Sequence, residues 1–130
     1  MGALRASNGA ESPRLYANMR SMGESGHVRT KFNRVLRGGN YEAAYLLALE
    51  LDRIGLDDAL ALTILAAEQA PDEYPKLARK LAARIAVEVR PPLPALAIVA
   101  NLLAAAGDGR LHPSKLLAPL QRVIAGERVG

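Results

Sequence analysis

The sequence predicts an all-α protein: a compact bundle, or a stack of antiparallel helical hairpins, of five to six helices behind a disordered N-terminal arm. Three observations predict it. Ala and Leu, both strong helix formers, supply 24 and 21 of the 130 residues. β-Branched and aromatic residues are sparse, with one Phe, four Tyr and no Trp, and no stretch alternates with the two-residue period of a strand. Gly, Pro, Asp and Asn clusters cut the chain at helix-length intervals.

Residues 1–26 form the arm. They hold four Ser, four Gly and two Asn with only scattered apolar side chains, a composition that cannot build a core. A short helix is expected around Leu15–Met22. Met19 and Met22 are further candidate translation starts, so no function is placed on the arm. A single domain is expected over 27–126, with 127–130 as a frayed tail.

Within the domain, Val28, Phe32, Val35 and Leu36 fall at i, i+4, i+7 and i+8, one face of a helix that Gly38-Gly39 ends. Asn40 is placed to cap a second helix running to about Arg53, apolar on every side from Ala43 to Leu49. Asp57 caps the third, which runs to about Ala70 and is stopped by Pro71. Asp72 caps the fourth, Glu73–Val89, with Pro75 in its first turn, where a missing N–H is harmless. Leu77, Leu81, Ile85 and Val89 line one side of it, and Pro91-Pro92 end it. The fifth helix, Pro94–Ala106, is almost wholly apolar. The sixth starts near Pro113 and is expected to kink or split at Pro119.

Composition excludes several classes of function. With no cysteine, the chain has no disulfide framework, thiolate metal site or cysteine nucleophile, in keeping with a cytoplasmic location. Met1–Ala10 lacks the apolar segment of a secretory signal. The longest apolar run, Leu93–Ala106, is short of the roughly 20 residues that a bilayer requires, so no membrane span is expected. His27 and His112 have no His or Cys partner at ligand spacing, and are read as an arm-end residue and a loop or cap residue. Asp57 and Asp58 point about 100° apart on a helix and share no site. Gly-x-Ser-x-Gly, Ser-x-x-Lys, Gly-x-x-x-x-Gly-Lys-Ser/Thr and Gly-x-Gly-x-x-Gly are all absent. Thr63, inside an apolar helix, is expected to bond back to its own backbone. No catalytic residue, cofactor or metal is assigned, and the chain is expected not to be an enzyme.

The net charge of +4 is carried by the N-terminal end: residues 1–39 hold seven basic and two acidic residues, residues 40–130 ten and eleven. Two basic stripes form the candidate contact surface, Arg29, Lys31, Arg34 and Arg37 on the first helix and Lys76, Arg79, Lys80 and Arg84 on the fourth. They provide the alternative reading, sequence-independent nucleic-acid binding through phosphate contacts. Sequence-specific reading by the hairpin at 41–69 is disfavoured, because its second helix opens on Asp57-Asp58, which phosphate repels. Among stacking aromatics, Tyr41 and Tyr45 are assigned to the core or a helix groove, and Tyr74 is the least constrained.

Leu36-Arg-Gly-Gly-Asn40-Tyr-Glu-Ala-Ala44-Tyr45, with Ala48-Leu49-Glu50-Leu51, resembles the second half of a tetratricopeptide repeat: a Gly-Asn-Tyr turn, then small residues where two helices approach closely. The likeness covers about 16 residues, and its pattern does not recur at Pro71-Asp72-Glu73-Tyr74, about 34 residues on. The stretch from Phe32 to about Ala106, through Arg37–Ala44, Asp57–Leu60 and Pro71–Tyr74, also resembles small all-helical proteins of unknown function from high-GC bacteria. Neither likeness implies a catalytic residue.

The remaining positive signal is a surplus of apolar helix surface. Helices 40–53, 57–70 and 94–106 all lack a clean polar face, whereas a domain of five helices has room to surround about two. The expected function is therefore non-catalytic: a helical protein–protein interaction or self-association domain, with a protein partner or a homo-oligomer.

Overall fold

A computed structural model describes residues 26–126 of the chain. The expected arm, its helix at Leu15–Met22 and the tail at 127–130 lie outside the described residues, except that Gly26 already opens a helix. Six α-helices follow one another among the described residues, with no strand: α1 (26–37), α2 (Tyr41–Glu50), α3 (Leu56–Gln69), α4 (Tyr74–Arg84), α5 (Leu93–Gly107) and α6 (Leu117–Ile124). His27 lies in the first turn of α1, not at the end of an arm.

α1 buries the face that its spacing marks, with Phe32 fully buried and Val28, Val35 and Leu36 packed beside it. It ends in a Schellman turn. The Asn40 N–H reaches Val35 O, the Gly39 N–H reaches Leu36 O, and Gly39 takes the left-handed φ of 79° that a side chain would strain. Asn40 then caps α2, its Oδ1 accepting the Ala43 N–H at 3.1 Å. A second orphan donor, the Tyr41 N–H, is taken by the side chain of Gln69 on α3, whose amide also donates to Gly39 O. One amide side chain thereby ties the α1–α2 turn to the end of α3.

Several boundaries differ from expectation. α2 stops at Glu50 rather than near Arg53, because Leu51 turns to extended backbone (φ −92°, ψ 140°) and buries its side chain. α3 is capped by Gly55, whose carbonyl accepts the Ala59 N–H, so Asp57 sits in the first turn and acts on the helix dipole without capping. α3 ends one residue early, at Gln69. At the start of α4 a turn over 71–73 replaces the Asp72 cap. Glu73 occupies the cap position but makes no cap bond, since its carboxylate accepts the Tyr41 hydroxyl instead. α5 is one residue longer at each end than expected. The sixth helical segment splits into a 3₁₀ turn (Pro113–Leu116) and α6 at Leu116–Leu117, not at Pro119. Pro119 is the third residue of α6, where no intrahelical donor is lost.

The expected fourth helix changes character at Ile85. Residues Ile85–Val89 form a π turn, and Arg90 adopts a left-handed conformation (φ 55°, ψ 55°) with its N–H on Ile85 O. The cause is local. A Schellman ending would need a donor at the next residue, and Pro91 has none. The left-handed position falls on Arg rather than Gly, a cost of about 1 kcal/mol. Arg90→Gly is therefore expected to stabilise the protein by about 0.5–1 kcal/mol, read as a raised urea midpoint at constant m-value.

α3 is the central helix. It packs against α2, α4, α6 and the 3₁₀ turn, and buries Leu60, Leu62, Thr63 and Ala66. Thr63 satisfies its hydroxyl on Ala59 O at 2.7 Å, four residues back. α5 lies on the far side of α4, touching α4, α6 and the 3₁₀ turn. No helix among the described residues is long and apolar enough to cross a membrane.

Candidate interaction surface

Of the three helices without a polar face, only α3 is surrounded. α2 buries just Tyr41 and Ala44, leaving Leu46 57% and Leu49 64% exposed. α5 buries the single line Ala95, Val99, Leu103 and Ala106. Its other side exposes Leu93 at 79%, with Ala97, Ala100 and Ala104 on the same face and Ile98 beside them. No charged residue occurs along the 15 residues of α5. Val87, on the π turn, and Leu117, at the start of α6, are also exposed.

An apolar cavity of about 390 Å³ opens between α4 and α5. Ala78 and Ala82 wall it from α4, Ala100, Ala104 and Gly107 from α5, with Arg79 and Asp108 at the rim. The buried Tyr74 and Leu103 also line it. This corrects the sequence expectation: Tyr74 is only 3% exposed, and its hydroxyl donates to Leu103 O at 2.7 Å. Burial pushes the phenol up to about 12. The ring lies close against Gly107: a Cβ there would meet Tyr74 Cε2 at 3.1 Å, so the ring would have to give by a few tenths of an ångström.

Arg29, Lys31, Arg34 and Arg37 are exposed along α1, and Lys76, Arg79 and Lys80 along α4. Lys76 Nζ lies 5.9 Å from the centre of the Tyr45 ring, which stacks on Tyr41. Arg79 belongs to the cavity rim. Arg84 is half-buried and bonds Glu88 one turn on, Nε to Oε2 at 2.8 Å. Arg53, in the α2–α3 loop, reaches the same Oε2 at 2.5 Å, and Arg29 Nη2 donates to Arg53 O at 3.0 Å. Arg29, Arg53, Glu88 and Arg84 thus link the two stripes, and one carboxylate answers part of the charge.

From the sequence, Asp72, Glu73 and Glu88 are expected to offset part of the second stripe, which Glu88 does through Arg84, but the bonds of Gln69 and Glu73 to Tyr41 and of Glu88 to Arg53 are not marked there. Each partner lies 28 or more residues away, and no local pattern marks them, apart from the Arg84–Glu88 spacing of four on a helix. Hydrogen bonds from Arg84 hold the Glu88 carboxyl below the usual carboxylate range. A depressed folded-state pKa contributes stability that is present above the unfolded value of 4.5 and lost as pH falls through the folded one. Glu88→Gln is expected to flatten the acid limb of the stability profile, followed by urea unfolding between pH 7 and 3.

His112 caps the 3₁₀ turn, Nδ1 accepting the Ser114 N–H and meeting Ser114 Oγ at 2.8 Å. Among the described residues, no three His, Asp or Glu side chains are placed to hold a metal ion. Comparison with known proteins finds no matching family, no similar curated protein and no similar solved structure.

Proposed function

We propose that this protein is a non-catalytic helical interaction domain of the cytoplasm, acting by protein–protein contact or self-association. The observation that carries the reading is the apolar exposure of α2 and α5, with Leu46, Leu49 and Leu93 each more than half in water. Grouped apolar exposure on helix faces is what a partner would cover. The α1–α2 hairpin, with its left-handed Gly39 and the buried Ala44 in the turn that follows, supports the likeness to a tetratricopeptide hairpin. The exposed Lys and Arg of α1 and α4 would steer an acidic partner.

A photo-crosslinking residue placed at Leu46 or at Ile98, in cells expressing the full chain, tests this. Adducts to a protein, whether a second copy or another chain, are expected from at least one position and not from an exposed polar control at Arg122. Adducts from neither position would overturn the reading. Recovery of nucleic acid instead, with retention that falls steeply as salt rises, would replace it with phosphate binding by the basic stripes.

A further inference from the structure

α5 carries both halves of a contact on one face. At its first residue Leu93 projects into solvent, 79% exposed. Near its last turn lies the 390 Å³ cavity, walled on the α5 side by Ala100, Ala104 and Gly107. Leu93 and Ala104 are eleven residues apart. At 100° per residue they share one side of the helix, and at 1.5 Å per residue they lie roughly 16 Å apart along it. A projecting leucine and an apolar hollow of larger volume therefore sit in line on the same exposed, uncharged face.

Resting on the interaction reading above, we infer that the partner of this face is a second copy of the same chain, docked with the two α5 helices antiparallel about a two-fold axis. A two-fold contact requires a surface complementary to itself: where residue i meets j, j meets i. α5 meets that condition. Setting each Leu93 in the other copy's cavity, opposite Ala104, places the axis between Ala97 and Ala100. Both are small, and both are exposed. At that point the helix backbones must approach most closely, and alanine permits it.

At the cavity rim Asp108 is paired with Arg110, Nη2 to Oδ2 at 3.0 Å, and Arg79 stands beside it, so the contact rests on shape rather than on charge. A parallel pairing would set Leu93 against Leu93 and Asp108 against Asp108, leaving both cavities empty. On the outer face of α2, Leu46 and Leu49 are exposed as well.

Sedimentation equilibrium of the full chain, from micromolar to about 1 mM, decides it. The expected result is a reversible dimer at twice the 13.8 kDa chain mass. Leu93→Glu and Ala104→Glu, both at exposed positions, are each expected to weaken it at least tenfold, with an unchanged helical circular dichroism spectrum. Leu46→Glu with Leu49→Glu is expected to leave it intact. A strict monomer over the whole range, or a dimer dissolved by the α2 pair and indifferent to Leu93→Glu, would overturn the inference. If the chain is monomeric but photo-adducts at Leu46 or Ile98 contain another protein, self-association fails while the interaction reading stands. If neither is seen, both fail.

Discussion

Phe32→Ala is expected to cost about 3–5 kcal/mol, the range for removing a fully buried phenylalanine. The side chain is completely excluded from solvent and belongs to the same core as Leu60, Leu81, Ile85, Leu116 and Leu120. It is also the one large side chain that α1 buries fully; Val28, Val35 and Leu36 pack only in part. Outside the Schellman turn, the Arg29 bond to Arg53 O is an exposed contact of small value. Phe32 is therefore the main attachment of α1 to the rest of the molecule. Against a total stability of about 5–15 kcal/mol for a domain of this kind, its loss either unfolds the protein or releases α1. Urea unfolding measures the total, and amide hydrogen exchange tells the two outcomes apart: a released α1 exchanges fast while α3 stays protected. A loss below about 1 kcal/mol would mean that α1 does not pack as described.

The second large effect is expected at alkaline pH. Tyr74 is buried, and desolvation raises its pKa to about 12. Tyr41 is raised further, first by burial and then by its hydrogen bond to the Glu73 carboxylate at 2.6 Å, since ionising the phenol would set two anions in contact. The unfolded chain releases these protons near pH 10 while the folded chain retains them. Stability from a raised pKa is fully present below the unfolded value and is lost as pH rises through the folded one. With a slope approaching 1.4 kcal/mol per pH unit between the two values, Tyr74 alone should remove about 2 kcal/mol between pH 10 and pH 12, and Tyr41 adds to it. Urea midpoints from pH 8 to 12 follow the loss. Tyr74→Phe should shrink the alkaline slope by about one proton's worth, while costing about 1 kcal/mol at neutral pH for the lost bond to Leu103 O. An alkaline slope equal to that of the wild type would show that Tyr74 is not buried.

If the two-fold α5 contact forms, both experiments become concentration-dependent, because Tyr74 lines the cavity that Leu93 of the second copy would fill. Comparing dilute and concentrated samples at pH 11 links the core to the surface in one measurement. The dimer should resist alkaline unfolding more than the monomer does.

The sequence by itself determined the helices and most of their ends, because those signals act over a few residues. Gly39 supplies a left-handed φ, Asn40 a cap acceptor and Pro71 a stop, and Pro75 fits a first turn, whereas Pro119, expected to kink or split a helix, is placed in a first turn only by the break at Leu116–Leu117. None of these needs a distant partner. At two of the boundaries that moved, a tertiary demand had overridden a local one: Leu51 left α2 to reach the core, and Glu73 gave its carboxylate to Tyr41 rather than to α4. The surplus of apolar surface was likewise visible in composition, but its distribution was not. Three helices read as equally apolar, and only packing decided that α3 is surrounded while α2 and α5 each keep one face in water. Burial of Tyr74, the bracketing role of Gln69 and the sharing of Glu88 by Arg53 and Arg84 all join residues across different elements. Periodicity along one helix cannot report which neighbour lies across from it, and that placement alone puts Leu93 and the cavity on the same side of α5.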